Sequence, residues 1–180
     1  MYMRGGLQKP CIENFSLSGL MSDKEVAEFL KVLPCKHVSN PPLRSIKYID
    51  EAKLRNPKDR RRLPDQILGE CEIDDEQAFA DIRIYRQKKI GNDILYDFKF
   101  SILHEVGHVV FWFLHESSRK KWYSLYGQTP IIWNEAGRVP EEHFCDTYAY
   151  FIMTPILVEK RFELEYKYML DEVFCRGRYD

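Results

Sequence analysis

The chain has 180 residues, of which 44% are hydrophobic and 31% are charged, and its formal net charge is −1 at pH 7. This length and composition predict one soluble globular domain that can bury a core without the help of disulfides. A net charge close to zero excludes a strong overall field toward nucleic acid or an anionic membrane, so we expect neither as a partner.

The cysteines and the apolar runs bear on the cellular compartment. Five cysteines, an odd number with no CxxC pair, disfavour both a disulfide framework and a cysteine-type structural zinc site. The N-terminus lacks the apolar stretch of a secretory signal, and no run reaches the roughly 18 apolar residues of a membrane span. We therefore expect a cytoplasmic protein with reduced thiols, and the sequence leaves its oligomeric state open.

The first part of the chain carries one clear helix signal. Ser22 followed by Glu25 fits a capping box, and a helix with apolar residues at helical spacing runs from there to Pro34. Residues 39–45 are a turn-rich connector before the strand-like stretch SIKYI. Residues 53–64 form a basic loop, for which DNA contact is the less favoured interpretation because no aromatic residue interleaves the charges.

Two strands and a long helix follow. Residues 66–73 and 79–86 are predicted to be strands, and the second alternates cleanly between apolar and polar side chains. Asp93 is a suitable N-cap for a long helix that runs to about His115.

The rest of the chain is predicted to be mainly helical. A looser segment, residues 117–139, precedes a helix over residues 140–153. Pro140 suits the first turn of that helix because its missing N–H would have no partner there. The Thr-Pro pair at 154–155 repeats this start signal for a last helix toward residue 174.

The sequence SILHEVGHVVFW, residues 101–112, places three polar side chains in an apolar helix. His104 and His108 are four residues apart, so they differ by about 40° around the helix axis and project from one face. Two imidazoles held in this way can bind one zinc ion. Glu105 then lies beside the metal, where its carboxylate can accept a proton from water and pass it to a leaving group.

A metal site competes here with an ordinary buried helix. The HExxH pattern also occurs by chance, and a histidine on an apolar face is more often a hydrogen-bonded core residue. The strongly apolar flanks favour the metal, because two uncompensated imidazoles and a carboxylate are costly in such surroundings. Gly107, inside the pattern, allows the backbone of another element to approach the helix closely.

A catalytic zinc ion needs a third protein ligand, which must come from another element. An extended HExxHxxGxxH site is excluded because the two positions it requires are Phe111 and Leu114. His115 is one residue too late for that site, and we interpret it as a capping or surface group.

The stretch PEEHFCDTYAYF, residues 140–151, offers a better third ligand. Glu142 and Asp146 are four residues apart on a predicted helix and therefore share a face. Glu142 can bind the metal while Asp146 accepts the second N–H of a zinc-bound imidazole, which orients the ring. His143 is the competing ligand, and Glu141 is a weaker alternative.

HEVGH at 104–108 followed by EHFCD at 142–146 resembles the HExxH…ExxxD arrangement of the gluzincin peptidases. The pattern over residues 142–149 is also similar to the catalytic domain of anthrax lethal factor. It resembles ImmA/IrrE-type peptidases and minigluzincins as well, and Pro155 matches their closing proline. The resemblance covers about residues 67–155.

The resemblance implies a role for each residue of the two motifs. The zinc ligands would be His104, His108 and Glu142, with Glu105 as general base and Asp146 supporting a histidine. Gluzincins also supply a tyrosine or histidine that stabilises the oxyanion, but no motif places that residue here. The candidates are Tyr123, Tyr126, Tyr148, Tyr150 and Arg138. For Tyr148 and Tyr150, helix packing is the favoured interpretation.

We therefore predict an α+β, zincin-like fold in a single domain over residues 1–180. A small, mostly antiparallel sheet would pack on the HExxH helix, with a C-terminal helical part beside it. Residues 1–65 would form an N-terminal helix and connector, residues 66–155 the catalytic core and residues 155–175 a C-terminal helix.

The predicted function is zinc-dependent hydrolysis of peptide bonds in an intracellular protein or peptide substrate. The alternative is a domain without efficient catalysis, which binds zinc for stability or acts as a regulatory interaction module. A protein partner would then bind the basic loop at 53–64 and the aromatic segment at 122–133. The sequence does not name a substrate, and Mn²⁺ or Co²⁺ could replace zinc.

Overall fold

The computed structural model describes residues 8–39, 42–54, 66–87, 93–126 and 139–174. Helices and a small sheet both occur in these ranges, so the α+β class expected from the sequence is confirmed. The chain divides into two compact units, Met1–Phe98 and Lys99–Asp180, and the boundary falls inside one helix. The single-domain interpretation stays a prediction. None of the helices in the described ranges is long and apolar enough to cross a membrane.

The first unit contains a four-stranded sheet and a separate pair of strands. The strands are β1 (Cys11–Glu13), β2 (Leu43–Ile49), β3 (Lys53–Leu54), β4 (Gln66–Ile67), β5 (Gly69–Asp74) and β6 (Phe79–Tyr85). The sheet has the order β1-β2-β6-β5, and β3 pairs with β4. Strands β2 and β6 confirm two predicted strands, whereas the strand predicted over residues 66–73 is divided into β4 and β5.

The expectation of a mostly antiparallel sheet was wrong. In the four-stranded sheet, β1 with β2 and β2 with β6 are parallel, and β5 with β6 is antiparallel. Parallel neighbours need a long crossover connection, and helix α1 (Asp23–Phe29) lies in the chain between β1 and β2. Alternation within a strand indicates which face is buried but not the direction of the neighbouring strands.

Helix α1 begins as its sequence predicts. The Ser22 hydroxyl accepts a hydrogen bond from the Glu25 N–H, and the Glu25 carboxylate accepts one from the Ser22 N–H at 2.7 Å. This reciprocal pair is the predicted capping box. The α-helix ends at Phe29, and the 3₁₀ segment Leu30–Val32 continues the chain toward Pro34.

Three aromatic rings lie in the core of the first unit. Phe15, Tyr48 and Phe98 have ring centroids 6.0 to 6.1 Å apart, and each side chain is buried. Tyr48 belongs to β2, and Phe98 belongs to the start of the long helix. Their contact therefore fixes the beginning of that helix against the sheet.

The remaining helices are α2 (Ile94–Phe113), α3 (Glu116–Tyr126), α4 (Pro140–Met153), α5 (Pro155–Arg161), α6 (Glu163–Tyr168) and the π-helical segment Met169–Phe174. Helix α4 has the predicted bounds, and α2 ends two residues before the predicted end.

The prediction of a loose segment from residue 117 was wrong at its start, because the chain forms helix α3 there. Its buried Trp122 donates the Nε1–H to the carbonyl of Pro140 at 2.7 Å. Burial of one tryptophan and its hydrogen bond to the start of α4, rather than a long apolar stripe, therefore hold α3 in place.

The single last helix predicted from residue 155 toward 174 is interrupted. Phe162 leaves the helical conformation, with φ −137° and ψ 55°, and separates α5 from α6. No glycine or proline marks this position, so the sequence pattern contains no signal for the break.

The two segments predicted to bind a protein partner, residues 53–64 and 122–133, are described only in part. Residues 55–64 and 127–133 lie outside the described residues.

Replacing Ser22 with Ala should lower the free energy of unfolding by about 1 kcal/mol, because the N–H of Glu25 loses its acceptor. Chemical denaturation of the purified protein measures the change. The matched control is Lys24→Ala, an exposed position in the same helical turn, which should leave the stability within about 0.5 kcal/mol. Equal losses in both variants would contradict a stabilising role for the cap.

Candidate metal centre

Helix α2 presents His104 and His108 on one face. The helix begins at a side-chain cap, because the Asp93 carboxylate accepts a hydrogen bond from the N–H of Tyr96 at 3.0 Å, as predicted. The two imidazole rings have centroids 5.1 Å apart, and both side chains are about one-fifth exposed. The neighbouring Glu105 is buried. Both rings are therefore partly accessible to solvent, whereas the adjacent carboxylate is not.

Helix α4 brings two carboxylates to these rings. Asp146 Oδ1 lies 2.8 Å from Nδ1 of His104. Glu142 Oε2 lies 3.1 Å from Nε2 of the same ring, and Glu142 Oε1 lies 3.6 Å from Nε2 of His108. The structure thus brings together four of the five residues that the two motifs single out, and the fifth, Glu105, follows His104 directly in the chain.

Helices α2 and α4 are antiparallel where they contact each other. His108 meets Glu142, His104 meets Asp146, and one turn further along the Phe100 ring lies 4.8 Å from that of Tyr150. Each series steps by four residues along its helix, so each occupies one face. Two helical stripes facing each other therefore form the site.

Gly107 makes this close approach possible. A Cβ atom built on Gly107 would lie 3.0 Å from Cα and 3.3 Å from Sγ of Cys145 on α4. Such separations are shorter than ordinary van der Waals contact. The predicted role of this glycine, close backbone approach by another element, is confirmed.

The two histidines have very different proton affinities. Burial lowers the pKa of His104, but its hydrogen bonds to Asp146 and Glu142 outweigh this effect and raise it to about 10. Burial and the neighbouring charge of His104 lower the pKa of His108 to about 4. At neutral pH one ring is therefore charged and held between two carboxylates, and the other is neutral.

Glu142 fits the third position of a metal site by distance. Two ligand atoms that each lie about 2.0–2.1 Å from a tetrahedral zinc ion are about 3.3 Å apart. The two separations between Glu142 and the histidine Nε2 atoms, 3.1 and 3.6 Å, lie on either side of that value. Asp146, on the other nitrogen of His104, has the place of an outer partner that orients the ring.

A thiol that the sequence motif did not single out also lies at this site. Cys145 Sγ is within 4.8 Å of one nitrogen of each histidine. That limit exceeds the roughly 3.5 Å expected between nitrogen and sulfur ligands of one zinc ion, so Glu142 is the better-placed third donor. The spacing Glu-x-x-Cys on a helix was the available signal, because positions i and i+3 can chelate one metal.

The two competing third ligands lie elsewhere. His143 is buried in the second unit, where its ring stacks on Trp122 at 5.3 Å and its Nε2 lies 3.5 Å from Glu165. Glu141 accepts a hydrogen bond from the hydroxyl of Tyr123 at 2.5 Å. His115, interpreted as a capping or surface group, accepts a hydrogen bond from the N–H of Ser117 at the start of α3. These contacts leave Glu142 as the acidic ligand candidate that reaches both histidines.

The candidate oxyanion donors occupy different surroundings. Tyr148 is fully buried and stacks on Phe174 at 5.4 Å, which agrees with the favoured packing interpretation. Tyr126 meets the edge of the His143 ring at 5.6 Å. Arg138 lies outside the described residues. Tyr150 packs on Phe100, whose ring lies 6.4 Å from that of His104.

No protein-family model matches the chain, and no curated protein or solved structure matches it either. A functional assignment therefore depends on the geometry of α2 and α4.

Replacing Gly107 with Ala should weaken metal binding, because the added methyl group forces α4 away from α2 by a few tenths of an ångström. A gain of about 1 kcal/mol in helix propensity partly offsets a packing cost of about 1–3 kcal/mol, so the free energy of unfolding should fall by no more than about 2 kcal/mol. Zinc affinity should fall about tenfold, as after loss of an outer-shell partner. Competition with a chromophoric chelator measures the affinity. A variant that binds zinc as tightly as the wild type would show that the close approach is not needed.

Zinc binding at pH 7 should release at least one proton per chain, because His104, with its pKa of about 10, must lose a proton before Nε2 can bind metal. His108, with its pKa of about 4, is already neutral. Apparent affinity should therefore rise at least tenfold per pH unit between about pH 6 and 8. Calorimetry in buffers with different ionisation enthalpies counts the protons. Asp146→Asn should reduce the number of protons released. Zinc binding without any proton release would contradict the prediction that His104 is protonated before the metal binds.

Proposed function

We propose that this protein is a zinc-dependent metallopeptidase of the gluzincin type, with a zincin-like fold. The observation that carries the proposal is the Glu142 carboxylate, which lies 3.1 Å from Nε2 of His104 and 3.6 Å from Nε2 of His108. A chance HExxH sequence would not be expected to meet a helix with a carboxylate at ligand separation from both rings and a second carboxylate on the remaining nitrogen.

Three side chains would hold the zinc ion, and a fourth would orient one of them. His104, His108 and Glu142 are the ligands, and Asp146 accepts the Nδ1–H of His104. This bond fixes the tautomer in which Nε2 is available to the metal. When bound, zinc supplies Lewis acidity that polarises the scissile carbonyl and lowers the pKa of the hydrolytic water.

Glu105 would move the proton in this reaction. Its carboxylate is 6% exposed and belongs to the residue that follows His104, so it lies next to a ligand in dry surroundings. As general base it would take a proton from the hydrolytic water and deliver it to the departing amine.

The substrate would be an intracellular protein or peptide that approaches from the exposed side of the site. Glu142 is 44% exposed, in contrast to Glu105, so a polypeptide could reach the ligands from that side. We propose a cytoplasmic location on the basis of the cysteine usage.

A zinc-binding domain without efficient catalysis is the second candidate. The observation that favours it is the thiol of Cys145, because a fourth protein donor would leave no open position at the metal. Structural zinc sites are closed in this way, and removal of the ion usually unfolds the domain around them.

Glu105→Gln should strongly reduce peptide hydrolysis without loss of zinc. We expect kcat to fall by about 10²- to 10⁴-fold, because the amide cannot take a proton at neutral pH. Cleavage of a fluorogenic peptide library and zinc analysis of the same sample measure both properties. Glu142→Gln should instead weaken zinc binding, and the matched control, Glu141→Gln on the same helical turn, should not.

The outcomes separate the two candidates. Full activity in Glu105→Gln would remove the assigned base, and full zinc affinity in Glu142→Gln would remove the assigned third ligand. A chelator that stops hydrolysis while the circular dichroism spectrum stays unchanged supports the enzyme. Global unfolding on chelation, with no hydrolysis in the wild type, supports a structural zinc site instead.

A further inference from the structure

We propose that Cys145 is a fourth metal ligand, so that the resting site contains four protein donors and is latent. The inference rests on the proposed function for its metal and its activity readout. It deepens that function by naming how the site is regulated: hydrolysis requires the thiolate to leave the metal.

The thiol lies against the helix that carries both histidines. Cys145 is fully buried on α4, and its Sγ would lie 3.3 Å from a Cβ on Gly107. Gly107 directly precedes His108 and comes three residues after His104. The absence of a side chain at this glycine leaves space for the sulfur between the two turns that present the rings.

All three donor groups are within reach of one ion. Sγ of Cys145 and one nitrogen of each histidine lie within 4.8 Å of one another. Ligation would bring Sγ to about 3.5 Å from each nitrogen, an adjustment of up to about 1.3 Å that a cysteine side chain can make by rotation about its Cα–Cβ bond. Glu142 precedes Cys145 by three residues, and positions i and i+3 of one helix can bind the same metal.

The chemistry of a four-donor site differs from that of a three-donor site. Catalytic zinc has three protein ligands and a water, whereas zinc with four protein ligands is closed. When Cys145 binds, its S–H proton goes to solvent and the sulfur takes the position of the departing water. When water returns, the thiolate takes up a proton, so the exchange is balanced without any oxidant.

Cobalt substitution tests the proposal without reference to activity. Wild-type protein loaded with Co²⁺ should show a sulfur-to-cobalt charge-transfer band in the near ultraviolet. Cys145→Ala should abolish this band and lower Co²⁺ affinity by about tenfold or more, at least the loss seen for an outer-shell partner. The matched control, Cys35→Ala, removes an exposed thiol and should leave the band unchanged. A wild type without the band, or a band that survives in Cys145→Ala, overturns the proposal.

A second measurement covers the case in which Cys145→Ala does not fold. Zinc-edge absorption spectroscopy of the wild type should then detect one sulfur at about 2.3 Å among nitrogen and oxygen ligands. A first shell without sulfur overturns the proposal.

The activity of Cys145→Ala separates this inference from the proposed function. If both are correct, the variant hydrolyses peptides with a higher kcat than the wild type. A charge-transfer band with no hydrolysis in either protein supports cysteine ligation and contradicts the peptidase assignment. Hydrolysis with no band supports the peptidase and contradicts cysteine ligation.

Discussion

The contact of His104 with the carboxylates of α4 is the interaction on which the rest of the site depends. A charged imidazole in an apolar helix is costly unless opposite charges replace the water that it loses. Asp146 at 2.8 Å and Glu142 at 3.1 Å supply that replacement. The same geometry suits a divalent cation, because a metal at Nε2 takes the place of the proton while Asp146 keeps its bond to Nδ1. Metal binding and the stability of α2 against α4 are therefore coupled.

This contact requires two helices at unusually short range, and the second unit is built to hold α4 there. Gly107 removes the side chain that would keep α4 away. On another side of α4, His143 packs against Trp122, and Trp122 donates a hydrogen bond to Pro140 at the start of the helix. Helix α4 is thereby anchored at its first turn, just before Glu142. Small rotations of this helix would otherwise change the separations from Glu142 to the two rings.

Local sequence signals predicted those features that depend on a few neighbouring residues. The Asp93 cap, the Pro140 start and the capping box at Ser22 are short-range hydrogen-bond or backbone effects, so they can be recognised in any context. The break at Phe162 has no such signal. Helix α3 was missed for a related reason, because one buried tryptophan and a tertiary hydrogen bond hold a segment whose other residues are largely polar.

The sequence by itself determined the composition of the candidate site. The four-residue spacing of His104 and His108, and of Glu142 and Asp146, places each pair on one helical face wherever the helices lie. Only the tertiary structure decided that these faces meet and that Cys145 joins them, because helix-to-helix distance depends on packing across many residues. The strand directions were also decided at this level. Alternation records burial, whereas a parallel or antiparallel arrangement follows from the path of the connecting chain.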